Sequence, residues 1–161
     1  MSVIPQSMGA NEVSNLIPHK NRMMLLDSVD CWDENSITCS AISHLKADNP
    51  LRVNGKLSYI HTIEYGAQAA AIHLAIITIA LGKPMSGYTS IAPIKSAYLA
   101  ITRNFSIEQG FLDDHPGSKL CLKSELLSVG PRIYQYKVTA SINKQTVAEG
   151  TVSLVTDEIQ E

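Results

Sequence analysis

Apolar residues recur at helical spacing along one long segment in the middle of the chain, residues 58–82. Ser58 can cap the start of this helix, and Gly82 followed by Pro84 ends it. Within the segment, Glu64 carries the single full charge. Because a helix that is apolar nearly all round is usually buried, the pattern predicts a long central helix enclosed by the rest of the chain.

Apolar patterns typical of β-strands flank this helix on both sides. They cover residues 23–29 and 37–42 before it, and residues 88–102, 119–129, 133–142 and 146–155 after it. The run 23–29 is apolar enough to predict a strand that is buried on both faces. Residues 1–20 are interpreted as a lead-in with one short helical turn, and the turn formers of residues 47–56 predict a loop.

A strongly curved antiparallel sheet is an economical cover for a single buried helix. The order of the elements therefore predicts an α+β chain with the hotdog fold, in which a curved antiparallel sheet wraps one long central helix, as a single domain over residues 1–161. One such unit leaves a strand edge and a flank of the helix open. We therefore expect it to pair with a second hotdog subunit, as a homodimer or a heterodimer.

Composition and charge argue against several classes of function. The net charge is -2 with no basic stripe, so we expect no nucleic-acid partner. The most apolar run, residues 69–81, is shorter than the roughly 20 residues of a membrane span, and no signal peptide is recognised. We therefore expect a cytoplasmic protein with no membrane partner. The spacings of the three cysteines and of the histidines fit no zinc motif, and we expect no metal.

Glu64 is the candidate for chemistry because it lies in the first two turns of an apolar helix. Burial would raise the pKa of its carboxyl group toward that of a useful general acid, whereas the positive end of the helix dipole would oppose this shift. A carboxylate that stabilises the dipole at the surface is the alternative. Gln68 follows one turn later on the same face, where it can position Glu64 or satisfy nearby backbone groups.

Five histidines remain as partners for the carboxylate. His61 lies three residues before it, and is as suited to a local cap as to catalysis. His19 and His44 occupy places where loops can meet the start of the helix. His73 is predicted to be a core histidine with satisfied ring nitrogens, and His115, in a turn-rich stretch, to be solvated.

Two motifs stand out along the chain. The first is Ile17-Pro18-His19-Lys20 followed by Met24-Leu25-Leu26-Asp27-Ser28-Val29, and the second is Ile63-Glu64-Tyr65-Gly66-Ala67-Gln68-Ala69. Both resemble motifs of 3-hydroxyacyl-acyl-carrier-protein dehydratases with a hotdog fold, in which the carboxylate of the second motif is catalytic. The resemblance extends over residues 16–155.

Other stretches more closely resemble a divergent branch, the dehydratase-like proteins of bacterial aryl polyene and xanthomonadin-type pigment clusters. They are Ser43-His44, Asp48-Asn49-Pro50-Leu51-Arg52 and Gly55-Lys56-Leu57. One departure concerns activity. The mainstream dehydratases carry their catalytic histidine in an "HFPG" loop before the helix, and the corresponding stretch, residues 52–57, has no histidine.

The resemblance implies conversion of a 3-hydroxyacyl thioester on an acyl carrier protein to the trans-2-enoyl thioester, without a cofactor, in fatty acid or polyene pigment biosynthesis. Glu64 would be the acid and a neutral histidine the base, in the order His19, His44, His61. Backbone amides at the helix N-terminus would stabilise the thioester oxyanion.

The acyl tail would lie along the helix flank, at a site between two subunits. The predicted substrate contacts there are His61, Gln68, Ala67 and Ala71. Close packing of the alanines against the sheet is the alternative. Two other functions fit the same features: a hotdog acyl thioesterase, and a non-catalytic subunit that pairs with an active dehydratase paralogue.

Overall fold

The computed structural model describes residues 5–17, 21–81 and 97–156. Over these ranges the chain forms a seven-stranded antiparallel sheet in the order β1-β2-β3-β5-β6-β7-β4. The strands are β1 (Met8–Gly9), β2 (Ser28–Trp32), β3 (Ser36–Ala41), β4 (Ala97–Ile107), β5 (Leu120–Val129), β6 (Ile133–Ile142) and β7 (Gln145–Thr156). A short helix, α1 (Ala10–Val13), follows β1, and the long helix α2 (Thr62–Leu81) lies against the sheet.

The central helix is present as predicted. A 3-10 turn, Tyr59–His61, leads directly into α2, and the Ser58 hydroxyl caps this turn by accepting from the Ile60 amide. Gly82, the predicted end, lies outside the described residues. By length and composition the helix could also cross a membrane, but 67% of its most apolar window is buried inside the protein, as in a soluble core helix.

A glycine brings α2 close to the sheet. A Cβ atom on Gly66 would lie 2.0 Å from Cγ1 of Val138 on β6, so the helix backbone packs directly against this side chain of the strand. The Ser124 hydroxyl on β5 donates to the Gly66 carbonyl at 3.1 Å. This contact sets the depth at which the helix is buried.

The alternating strands also form as predicted. Ile37, Cys39 and Ala41 of β3 are buried on the face toward the core. Strands β6 and β7 are joined by Asn143 and Lys144, whose φ angles of 50° and 66° form a two-residue hairpin turn. The cross-strand register is therefore fixed by the turn and by the buried face together.

The prediction of a strand over residues 23–29 is wrong for most of its length. Asn21–Met23 is a 3-10 turn, residues 24–27 are irregular, and β2 begins only at Ser28. Leu25 and Leu26 are nevertheless fully buried. The Leu25 amide donates to the Gln68 side chain on α2 rather than to a neighbouring strand. The apolar run predicted burial correctly, but a side chain of α2 replaces the hydrogen bonds that a neighbouring strand would supply at Leu25.

Strand β4 lies at one edge of the sheet and pairs with β7. Its predicted start, residues 88–96, lies outside the described residues. Two register shifts interrupt its pairing, and Asn104 adopts a φ of 53° at the second. The next residue, Phe105, lays its ring over Gly150 of β7, where a Cβ atom would come within 2.4 Å of it.

His73 is the core histidine that the sequence predicts. Its Nε2 lies 2.8 Å from the Asp33 carbonyl, and its Nδ1 lies 3.0 Å from the Tyr136 hydroxyl. Because a carbonyl can only accept, Nε2 carries the proton and the Tyr136 hydroxyl donates to Nδ1. Burial lowers the pKa of His73, partly offset by the Asp33 carbonyl and carboxylate.

Candidate active site at the start of the central helix

Glu64 lies in the first turn of α2 and is only partly buried. At this end of the helix the dipole favours a negative charge. The surrounding residues of α2 are apolar, so the carboxylate is held at the boundary between the core and solvent.

His61 lies three residues before Glu64, in the 3-10 turn, and is also partly buried. Its Nδ1 is 3.0 Å from the Ser58 carbonyl. Because that oxygen can only accept, Nδ1 carries the proton and the lone pair of the neutral ring is on Nε2. His61 therefore presents a basic nitrogen one helical turn from the carboxylate.

His44 occupies a different environment. Its side chain is fully buried, and its Nε2 donates to the Ser118 carbonyl at 2.9 Å. Its Nδ1 is buried and has no hydrogen-bond partner among the described residues. Burial lowers the pKa of His44, and the Ser118 carbonyl and Asp27 only partly offset this effect. His44 is thus a neutral, enclosed ring.

His19, the preferred candidate for the base in the sequence analysis, lies outside the described residues, and its role as the base stays a prediction.

His115 is not the solvated side chain that was predicted. It is partly buried, its Nε2 is 2.6 Å from the Tyr59 hydroxyl, and the two rings stack. Aromatic contact overrides the polar character of the loop around it.

Gln68 is buried and its amide bridges the helix to the segment before β2. Its Oε1 accepts from the Leu25 amide at 3.0 Å, and its Nε2 donates to the Met23 carbonyl at 2.7 Å. Of the two roles that the sequence left open, this is the satisfaction of backbone groups. Ala67 and Ala71 are 4% and 8% exposed, so little of either side chain reaches solvent.

Three backbone amides of the 3-10 turn just before α2 are already engaged. The Tyr59 amide donates to the Gly110 carbonyl, the Ile60 amide to the Ser58 hydroxyl, and the His61 amide to the Ser58 carbonyl. These three amides are therefore engaged by the protein itself, and an oxyanion site at the helix N-terminus stays a prediction. The 3-10 turn engages backbone amides that would lack a hydrogen-bond partner in a helix beginning directly at its cap.

Comparison with known proteins identifies the family. A family model described as ApeP-like, ApeP dehydratase, matches residues 11–161. The chain belongs to the ApeP-like dehydratase family. Among curated proteins, none matches the sequence.

Solved structures similar to this ApeP-like chain share its hotdog fold. The dehydratase heterocomplex ApeI:P from Xenorhabdus doucetiae matches at a TM-score of 0.74 with 19% identity, over 91% of both chains. A variant of the thioesterase PA1618 from Pseudomonas aeruginosa matches at 0.57 with 8% identity, over 94% of this chain and 96% of that one. A variant of the thioesterase SAV0944 from Staphylococcus aureus matches at 0.52 with 10% identity, over 81% and 92%.

Sequence reasoning missed a buried polar network around Tyr65. The Asn49 side-chain amide donates to the Tyr65 hydroxyl at 2.9 Å, and the Ser43 hydroxyl lies 2.9 Å from the same oxygen. Ser43 also lies 2.6 Å from the Leu25 carbonyl, which must accept, so Tyr65 donates to Ser43. Burial raises the pKa of Tyr65, which keeps the phenol protonated. A tyrosine in an otherwise apolar helix was the available signal.

Arg52 was quoted only as part of a motif, yet it organises the pre-helix loop, residues 43–57. Its guanidinium donates to three carbonyls of the loop and to one carboxylate. These acceptors are the carbonyls of His44, Lys46 and Gly55 and the carboxylate of Asp113. Burial acts to raise the pKa of Asp113, but the hydrogen bonds from Arg52 and the Leu57 amide outweigh it and lower that pKa.

Proposed function

We propose that this chain dehydrates a 3-hydroxyacyl thioester carried on an acyl carrier protein to the trans-2-enoyl thioester. The observation that carries the proposal is the placement of Glu64 three residues after His61, whose Nδ1 bonds to the Ser58 carbonyl, at the partly exposed start of α2 in a member of a dehydratase family. One side chain can serve as an acid and the other as a base, and they are about one turn apart. Dehydration needs one acid and one base.

In this mechanism a neutral imidazole removes a proton from C2 of the thioester, which the adjacent carbonyl makes acidic. The electron pair forms the C2–C3 double bond as the C3 hydroxyl leaves. Glu64, in its protonated form, supplies the proton that turns the hydroxyl into water. Transfer of the C2 proton from the imidazolium back to the carboxylate then restores both groups, so that one water is lost per turnover.

The base is assigned among three histidines by their surroundings. His44 is enclosed, with Nε2 committed to a carbonyl, which makes it a poor contact for a substrate. His61 combines a fixed tautomer with partial exposure and proximity to the acid. We propose His61 as the base within the described chain, while His19 stays the alternative that the sequence predicts.

We also propose that the chain works with a second hotdog subunit. The similar structure is named as a heterocomplex. The edge strand β4 exposes Tyr98 and Ile101, at 56% and 42%, on a strand whose outer edge is unpaired within the described residues. Apolar side chains on an open edge favour pairing with another sheet. The role of the missing "HFPG" histidine would then be taken by a residue of the partner or by His61.

A non-catalytic role in such a pair is the second candidate. It is favoured by the name of the similar heterocomplex and by the departure from the "HFPG" motif. Under this reading the chain would stabilise an active paralogue. Glu64 would then be dispensable for turnover.

The test is an assay of the purified chain, alone and co-expressed with a dehydratase paralogue, on a 3-hydroxyacyl-carrier protein. Mass spectrometry of the carrier protein should show the loss of one water from the thioester. Free thiol instead would identify a thioesterase. His61→Asn and His19→Asn are each assayed in the chain co-expressed with the dehydratase paralogue. Substitution of the residue that acts as the base should lower kcat by about 10²–10⁴-fold, which separates the two candidates. Full turnover by both variants would contradict a base from this chain.

A further inference from the structure

The carboxylate of Asp113 joins two parts of the chain that are distant in sequence. Asp113 lies in the 3-10 turn Leu112–Asp114, between β4 and β5. Its Oδ1 accepts from Arg52 Nη1 at 2.5 Å, and its Oδ2 accepts from the Leu57 amide at 2.8 Å. Leu57 is the residue immediately before the helix cap. Arg52 and Asp113 therefore control the end of the pre-helix loop.

Backbone hydrogen bonds from the same connection fix the chain on both sides of Ser58. The Leu112 amide donates to the Leu57 carbonyl at 2.8 Å, and the Tyr59 amide donates to the Gly110 carbonyl at 3.2 Å. The side chains of Leu57 and Tyr59 are buried. Ser58 is thus held between two anchored residues, and the direction of its carbonyl is determined by them.

The Ser58 carbonyl in turn holds the imidazole of His61. It lies 3.0 Å from His61 Nδ1 and accepts the His61 backbone amide at 3.0 Å. The first contact keeps the proton on Nδ1. A shift of this carbonyl would release the ring and allow the proton to move to Nε2, which removes the lone pair from the side proposed to face the substrate.

We propose that Arg52 and Asp113 are positioning residues that hold the Ser58 carbonyl where it fixes the reactive tautomer and orientation of His61. This inference deepens the proposed function and rests on it for the catalytic meaning of His61. The proposal assigns neither Arg52 nor Asp113 a contact with the substrate. The planar fork of Arg52 reaches four acceptors, which the single ammonium group of lysine cannot match.

The direct test is the tautomer of His61, measured by nitrogen NMR on ¹⁵N-histidine-labelled full chain. His61→Asn assigns the resonance. In the wild type we expect the proton on Nδ1. Asp113→Asn keeps the shape of the side chain but removes its charge, and should shift His61 toward a mixture of tautomers, as should Arg52→Lys. Glu149→Gln, which neutralises a carboxylate paired with Lys137 on the outer face, is the matched control and should leave His61 unchanged.

Two results would overturn the proposal without any activity assay. One is a wild-type His61 with its proton on Nε2, which needs no variant to fold. The other is the same tautomer in the wild type, Asp113→Asn and Arg52→Lys. If the wild-type pair does not dehydrate its substrate, the proposed function fails, while the NMR result still decides whether the two residues position the ring.

With an active wild type, the rate separates positioning from general stability. We expect Asp113→Asn to lower kcat by about 10-fold or more with KM little changed, and to move the acidic limb of the pH profile of kcat, since that limb reports the base. An unchanged pH profile with an unchanged kcat would contradict the proposal.

Discussion

Replacing Gly66 with alanine tests how closely the helix must approach the sheet. The added Cβ atom would lie 2.0 Å from Val138 Cγ1 and 3.2 Å from Val138 Cβ. Because packed carbon atoms are normally about 3.5–4.0 Å apart, α2 and β6 would have to separate locally by roughly 1.5 Å. Such overpacking costs about 1–3 kcal/mol. Alanine also gains up to about 1 kcal/mol in helix propensity, so we expect a net loss of about 1 kcal/mol.

Val138→Ala supplies the matched second variant. It removes the Cγ1 atom responsible for the clash and leaves a 3.2 Å contact that a small shift can relieve. Alone it should destabilise the chain by about 2 kcal/mol through lost burial and a small cavity. In the double variant the new methyl group fills part of that space. The two effects should therefore be non-additive, with a coupling of about 0.5–3 kcal/mol in favour of the double variant.

Urea unfolding of the four proteins at one fixed concentration measures these free energies. Turnover provides a second readout, because Glu64 lies only two residues before the substitution and a misplacement of about 1 Å can reduce a rate by about 10²-fold. If Gly66→Ala is as stable as the wild type, or if the two substitutions are simply additive, the close approach of helix and strand is not the constraint described above.

Three further predictions concern stability. Gln68→Leu removes the hydrogen bonds from Gln68 to the Leu25 amide and the Met23 carbonyl, and should lower the free energy of unfolding by about 1–3 kcal/mol. Hydrogen exchange of the Leu25 amide should become faster, and protection at the wild-type level would contradict this role of Gln68. Tyr65→Phe removes one hydrogen bond from each of two buried partners, Ser43 and Asn49, and should cost a similar amount in urea unfolding, whereas a neutral effect would argue against the network. The pKa values of His44 and His73 are lower in the folded chain, so the unfolded chain binds protons first as the pH falls. The free energy of unfolding should therefore be at its maximum above about pH 6.5. Below that pH it should decrease by up to about 1.4 kcal/mol per pH unit for each histidine. Unfolding free energies that stay constant from pH 7.5 to 5.5 would refute this assignment.

The elements that the sequence predicted well are those whose pattern is local. Strands β3, β6 and β7 alternate over at least six residues, and the hairpin residues Asn143 and Lys144 mark their own turn. The long helix is equally visible from its spacing and its cap. In each case the chain carries both the periodicity and the boundary within a short stretch.

Failures arose where partners come from far along the chain. The segment 23–29 is buried like a strand, but its hydrogen bonds reach Gln68, which no local pattern can indicate. The Nε2 of His44 is engaged by the carbonyl of Ser118, 74 residues later, which the sequence around His44 does not indicate. Arg52 finds its carboxylate 61 residues later, so its organising role is invisible in the motif that contains it.

The candidate site was partly predictable for the same reason. Glu64 and His61 are three residues apart in a helical stretch, so their proximity follows from the sequence alone. The tautomer of His61 does not, because it depends on the direction of the Ser58 carbonyl. The engagement of the backbone amides just before α2 likewise depends on the chain beginning its helix with a 3-10 turn.

Turnover of a 3-hydroxyacyl-carrier protein by the Glu64→Gln variant tests the central claim most directly. Glutamine keeps the shape of the side chain but cannot supply the proton to the leaving hydroxyl. The matched control is Glu125→Gln, which neutralises an exposed carboxylate paired with Lys123 on the opposite face of the sheet. In the wild-type pair we expect formation of the enoyl thioester to fall by at least about 10²-fold for Glu64→Gln and to stay unchanged for the control. An enoyl product formed at the wild-type rate by Glu64→Gln would contradict the account.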